Sequence, residues 1–152
     1  MARIISVVNQ KGGVGKTTTV INIGAALALI GKKVLLVDFD PQGNMSAGLN
    51  IDPEQILDKN AYSAVVGVNQ LYQNVVETRI KNLWVVPTDN NLAGAEIELV
   101  SEQRREFRLK ESLSPEIDTF DYVFIDCPPS LGLLTLNALC ASNAYLLPMQ
   151  AE

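Results

Sequence analysis

The chain contains no histidine among its 152 residues. Histidine-based triads and imidazole metal ligands are thereby excluded, and any acid–base work falls to carboxylates, lysines, backbone groups or metal-bound water. Cysteine is nearly as scarce. Cys127 and Cys140 are too few and too far apart for a zinc module or a disulfide framework, and both are expected to be buried thiols. Charged residues make up only 19% of the chain, and the 12 basic ones are outnumbered by 17 acidic ones, giving a net charge of −5. Such a balance argues against a surface constitutively coated by nucleic acid, while leaving room for a local basic patch. Long apolar runs are also missing: segment 17–30 is too short and too rich in small residues to span a bilayer, and the start Met1-Ala2-Arg3 does not lead into a signal peptide. A cytoplasmic protein is expected. What is present, 47% apolar residues over a length suited to one domain, is enough for a useful core.

The most informative stretch is Lys11-Gly12-Gly13-Val14-Gly15-Lys16-Thr17-Thr18, which comes after the β-branched apolar run 4–8 and opens the apolar run 17–30. Gly12, Gly13 and Gly15 lack a Cβ, so the backbone can curl and turn successive N–H groups inward as an anion nest. A helix beginning near Lys16 points its positive end at the same anion. Lys16 is placed to reach the β- and γ-phosphates of a nucleotide, the Thr17 hydroxyl to sit on a bridging Mg²⁺, and Thr18 to add an α-phosphate contact. This is the pattern of a phosphate-binding loop, with one departure: Gln10 stands where the general motif has its first glycine, and a second lysine, Lys11, is added. Six fixed positions of this kind arise by chance in such a chain on the order of 10⁻⁵ of the time.

Two further acidic sites come directly after apolar runs. Run 34–37 reads as a buried strand and delivers Asp38-Phe39-Asp40-Pro41-Gln42-Gly43-Asn44; run 122–125 delivers Asp126-Cys127-Pro128-Pro129-Ser130. Carboxylates at the C-terminal ends of strands lie where doubly wound sheets bind ligands. Turn formation and capping are the plainer use of Asp38 and Asp40, and a strand-terminal aspartate the plainer use of Asp126. Strand, helix and strand within the first 37 residues form one βαβ unit. Runs 83–86 and 144–147 read as further strands and 131–141 as a helix; Asp89 is expected to cap a helix through Val100, and a charged helix is expected over 102–113 with Phe107 and Leu113 inward. Arg104, Arg105, Arg108 and Lys110, interleaved with Glu102, Glu106 and Glu111, are read as a solvated, salt-bridged face in preference to a DNA patch. Between 49 and 82 the signal is weak, with one or two short helices broken at Gly67. The fold class is α/β: a three-layer, mostly parallel twisted sheet with helices on both faces.

The loop with its extra lysine resembles the deviant Walker A motif of the ParA/MinD family of P-loop ATPases. Asp38-Phe39-Asp40-Pro41-Gln42-Gly43-Asn44 resembles switch I of the ParA/Soj branch, and the stretch around Asp126 resembles Walker B running into switch II. The resemblance implies ATP or ADP with Mg²⁺ as cofactors and a slow ATPase acting as a switch in chromosome or plasmid partitioning. Lys11 would reach the nucleotide of a second subunit in an ATP-sandwiched homodimer, Asp40 would position the attacking water, and Asp38 would lie near a metal held by Thr17 and Asp126. Lys11, Lys16 and Asp40 are thus the catalytic candidates, 11–18 the nucleotide-binding ones, and Thr17, Asp38 and Asp126 the metal ones. By the same resemblance the partners are a ParB-type centromere-binding protein and nonspecific DNA, with nucleoid association and no membrane.

The resemblance covers residues 1–152 as the amino-terminal part of a longer ATPase domain. The family strand order 3-2-4-1-5 would leave 144–147 as an exposed apolar edge through which chains associate. Alternatives on the same scaffold are a small-molecule kinase or synthetase of the dethiobiotin-synthetase type, an iron-protein-like reductase, for which Cys127 is out of position, and a nonhydrolysing remnant.

Overall fold

The computed structural model describes residues 1–8 and 14–148. Two adjacent strands set its centre: β2 (Val34–Asp38) is buried at every position, and β5 (Tyr122–Asp126) at all but its first. A strand with both faces covered cannot alternate apolar with polar residues, which is why Val34-Leu35-Leu36-Val37 reads as a continuous apolar run. The side chains still alternate between faces. Val34, Leu36 and Phe124 join one hydrophobic cluster; Leu35, Val37, Val123 and Ile125 join the other.

Among the described residues the sheet has six strands in the order β3-β4-β2-β5-β1-β6, where β1 is Arg3–Val7, β3 Val76–Glu77, β4 Leu83–Val86 and β6 Ala144–Leu146. All neighbours are parallel except β3 with β4. Without β3 the order is the expected 3-2-4-1-5. The two-residue β3 is absent from the sequence-based expectation, being too short to show a period. At the opposite edge Tyr145 and Leu147 are exposed, as expected of β6.

Helix α1 (Val14–Leu29) lies on the first face, where α2 (Asn44–Gly48) and α3 (Pro53–Asp58) also contribute to the core. Its buried positions Lys16, Val20, Gly24 and Ala28 recur every four residues and form one stripe. At Gly24 a Cβ would stand 3.0 Å from a Leu36 methyl and 3.2 Å from one of Leu83, so the absence of a side chain sets how closely α1 approaches β2 and β4. The second face is covered by α4 (Ala61–Val65), α5 (Leu92–Leu99), α6 (Arg108–Glu111) and α7 (Leu133–Ala141). Trp84 packs edge-on against Phe120, ring centroids 5.5 Å apart.

The long helix expected over 102–113 does not form. Arg104 adopts a left-handed φ of 57°, which interrupts helical hydrogen bonding, and the chain continues as a 3₁₀ turn, Arg105–Phe107, and the four-residue α6. The buried Asn137 side chain of α7 holds this bent shape, accepting from the Leu109 N–H at 3.0 Å and donating to the Arg105 carbonyl at 2.9 Å. Leu109 is the fully buried residue of the segment; Leu113, expected inward, packs half-buried against the same cluster, and Phe107 is half-buried. The salt-bridged reading of its surface holds: Arg104 pairs with Glu111 and Arg108 with Glu102. Asp89 acts earlier than expected, accepting from the Asn91 N–H before α5 begins. Gly67, at φ 87°, ends α4 as anticipated. Of the two thiols only Cys127 is buried; Cys140 is half-buried.

Candidate functional site

The C-terminal ends of β5 and β2 bring Asp126 and Asp38 opposite one another in register. By the two-residue period both side chains project to the face carrying α1, whose first turn supplies Lys16 and Thr17. The Lys16 ammonium bonds Asp126 Oδ1 and the Cys127 carbonyl, and Thr17 Oγ1 donates to Asp126 Oδ2 at 2.9 Å. Lys16 is 4% exposed and Asp126 fully buried, so this is an ion pair out of water, held together because removing either partner would strand a charge. Burial pushes the Asp126 carboxyl upward from its ordinary value, and the Lys16 ammonium and Thr17 hydroxyl only partly oppose it.

Asp38 is also completely buried, and burial pushes its carboxyl up to about 7 despite two bonds from Ser46 and with some help from the neighbouring Asp126 charge. Its Oδ2 accepts from the Ser46 backbone N–H at 3.0 Å and the Ser46 hydroxyl at 2.6 Å. Asp40 closes a tight turn, its Oδ1 accepting from the Gln42 N–H at 3.0 Å and its carbonyl from the Gly43 N–H at 2.9 Å. Gly43 sits at φ 68°, a left-handed conformation that favours glycine, and leads into α2. The Cys127 thiol is pushed up to about 12, chiefly by burial, and is therefore no nucleophile at neutral pH.

Among the described residues no three His, Cys, Asp or Glu side chains form a metal cage. The donor set here, a threonine hydroxyl beside one or two carboxylates, instead suits Mg²⁺, which is commonly held by few protein ligands together with phosphate oxygens and water. A separate open groove, lined by Gln55, Asp58, Lys59, Tyr72, Gln73 and Trp84 among others, lies at the β3 edge, and neither the lysine nor the carboxylates of this cluster line it.

A family model described as "AAA domain" matches residues 2–152. The chain belongs to that family. It is 51% identical over its whole length to sporulation initiation inhibitor protein Soj of Bacillus subtilis and 50% identical to the chromosome-partitioning ATPase Soj of Treponema pallidum, spanning 60% and 58% of those proteins. Its structure resembles that of cobyrinic acid a,c-diamide synthase from Mycobacterium smegmatis with bound ATP analog and magnesium, with a TM-score of 0.92 and 43% identity over 100% of this chain and 62% of that one. The resemblance to the ParA/Soj branch drawn from the loop and switch motifs thus holds along the whole chain, which corresponds to the amino-terminal portion of the Soj proteins.

Of the residues singled out in the sequence, Lys16, Thr17 and Asp126 are in direct contact, Asp38 lies in register beside Asp126, and Asp40 is two residues beyond Asp38 at the same end of the sheet. Lys11, Gly12 and Gly13 lie outside the described residues, and Val14 opens α1. Among the described residues a Cβ on Gly15 would meet nothing within 4 Å. Thr18 is exposed. Two participants were not read from the sequence: Ser46 and Thr88. Neither carries a motif signal, because their contribution depends on the meeting of the ends of β2 and β4.

Proposed function

We propose that the chain is the amino-terminal part of a P-loop ATPase domain, residues 1–152, which binds ATP with Mg²⁺ and hydrolyses it slowly as a switch in DNA partitioning. The observation that carries this reading is the contact of Lys16 and Thr17, at the start of α1, with Asp126 at the end of β5. It brings together a lysine, a threonine and a strand-end aspartate, the side chains that P-loop phosphoryl transfer uses for phosphate and metal, and so supports the reading. Two findings support it: a 50% identical relative is a chromosome-partitioning ATPase, and a structural neighbour binds an ATP analog and magnesium.

In this reading Lys16 exchanges Asp126 for the β- and γ-phosphates, stabilising charge that grows on the γ-phosphoryl group in the transition state. Thr17 and Asp126 would hold the Mg²⁺, with Asp38 in register beside Asp126, and bound Mg²⁺ would supply charge neutralisation to the phosphates. Asp40, only 7% exposed, orients the attacking water. Lys11 to Thr18 cradle the phosphates, and Lys11 reaches into a partner subunit of an ATP-dependent homodimer. That dimer binds DNA nonspecifically, responds to a ParB-type protein, and works in the cytoplasm on the nucleoid. Among the described residues no helix is long and apolar enough to cross a membrane.

The diamide synthase neighbour favours a second reading, ATP-dependent activation of a carboxylate on the same scaffold, in the class of small-molecule kinases and synthetases. Titration of Mg²⁺-ATP and Mg²⁺-GTP by calorimetry, beside Lys16→Ala, tests the first. ATP binding that the variant loses, with turnover indifferent to added carboxylate or amine acceptors, is expected. Failure of the folded wild-type chain to bind either nucleotide refutes it, and turnover that requires an acceptor selects the second.

A further inference from the structure

Ser46 is buried, 2% exposed, and lies eight residues beyond Asp38 in the first turn of α2. Its hydroxyl stands between two fixed groups: Asp38 Oδ2 at 2.6 Å and the Thr88 backbone nitrogen at 2.9 Å. An amide N–H can only donate, so the serine oxygen accepts from Thr88 and spends its single proton on Asp38. Among the described residues Asp38 Oδ2 therefore carries two donors, the hydroxyl and the Ser46 N–H, while Oδ1 receives a 3.4 Å contact from the Asp40 N–H. Thr88 lies two residues beyond β4, the neighbour of β2, so one hydroxyl ties together the ends of two adjacent strands and the start of α2. Gly43 meets the same residue from the other side: a Cβ there would lie 3.3 Å from the Thr88 carbonyl oxygen. Segment 39–45, which contains Asp40, is thus suspended between anchors at Asp38 and Ser46.

We propose that Ser46 is a positioning residue for the hydrolytic reaction, clasping the Asp38–Asp40 segment to the end of β4 so that one Asp38 oxygen is held by protein donors and the carboxyl stays in register beside Asp126. This rests on the ATPase reading above. Ser46 touches neither the nucleotide nor the water; it acts through Asp38 and through the position of Asp40. Loss of an outer partner of this kind commonly costs 10- to 100-fold in metal affinity or activity.

The test compares wild type, Ser46→Ala and Gly43→Ala for nucleotide binding by calorimetry, for ATP turnover across a Mg²⁺ titration, and for amide exchange at Thr88. Ser46→Ala is expected to bind Mg²⁺-free ADP as wild type does, to need about 10-fold more Mg²⁺ for half-maximal turnover, to lose about 10-fold or more in kcat, and to exchange the Thr88 amide faster. A folded Ser46→Ala with wild-type kcat and Mg²⁺ dependence overturns the proposal, even if its melting temperature falls, because a merely structural serine moves stability alone. Should Ser46→Ala not fold, Gly43→Ala decides by the same kcat and Mg²⁺ readouts: the same two changes support the clasp, and unchanged values overturn it. Absence of Mg²⁺-ATP binding in wild type would be a failure of the ATPase reading itself, recognisable because it does not depend on residue 46.

Discussion

Asp38→Asn should make the nucleotide-free protein more stable while removing a group the site needs. The Asp38 carboxyl is fully buried and sits at about 7 in the folded protein against 3.8 in an unfolded chain, chiefly because burial disfavours its charge. Between those values the folded state binds more protons than the unfolded state, so stability falls as pH rises, by up to about 1.4 kcal/mol per unit from this group, and levels off above pH 7. The full difference is about 4 kcal/mol. Asparagine is nearly isosteric, its amide oxygen can accept both Ser46 donors at the loss of the long 3.4 Å Asp40 N–H contact, and it carries no charge to repel Asp126. At pH 8 and without Mg²⁺ the substitution should therefore stabilise by about 2–4 kcal/mol, and below pH 4 it should change little. The assay is urea unfolding from pH 4 to 8, monitored by the fluorescence of the single tryptophan, Trp84, which packs on Phe120. With a denaturant slope of about 1–3 kcal/mol per molar, the pH 8 midpoint should rise by roughly 1–2 M. Asp126 is also shifted upward, so the difference between wild type and variant, not the wild-type profile alone, isolates Asp38. An Asp38→Asn variant that is equally or less stable at pH 8, with an undiminished pH slope, would refute the reasoning.

Lys16→Met should do the opposite, since it leaves Asp126 buried opposite no cation; a loss of about 3–5 kcal/mol at pH 8 is expected, shrinking toward pH 4 as Asp126 takes up a proton, and the same urea series checks it. Reduced ATP binding in that variant must therefore be read beside its unfolding curve. At Gly24 the added methyl of Gly24→Ala would crowd Leu36 and Leu83, destabilising by about 1–3 kcal/mol through overpacking even though alanine is the better helix former; thermal unfolding should show a lower midpoint, and an unchanged or raised one would mean that α1 can lift from the sheet at little cost.

The parts that were legible in the sequence are those where one residue type has one physical use. Apolar runs rich in β-branched and aromatic residues announced β1, β2 and β5 because a strand covered on both faces is mostly apolar throughout, and an aspartate at the end of two of them marked the ligand end of the sheet. The parts that were not legible depend on partners distant in sequence. Segment 102–113 has helical composition, yet Arg104 turns left-handed and Asn137, far along the chain, captures the backbone at Arg105 and Leu109. β3 is two residues long and exists only because Val76 and Glu77 pair with Val85 and Trp84. Ser46 looks like any small polar residue of a short helix; its use appears only when Thr88 arrives beside it.

The electrostatics of the cluster tie these features together. At the ends of β2 and β5 the buried Lys16 ammonium pairs with Asp126, and the buried Asp38 and Asp40 carboxyls have no ion-pair partner among the described residues. A protein can lower such an excess of negative charge by protonating a carboxyl, and Asp38, pushed up to about 7 chiefly by burial with a smaller push from Asp126, is the carboxyl that takes the proton. It can also relieve it by taking up a divalent cation, which would draw Asp38 back to its ionised form and leave Lys16 free to exchange Asp126 for phosphate. The two forms of relief compete for the same carboxylate. In the ATPase reading, Mg²⁺-dependent nucleotide binding should consequently release protons below about pH 7, and more weakly so in Asp38→Asn. In that reading the buried charge that costs stability in the nucleotide-free protein favours a cation-bound polyphosphate over a bare one.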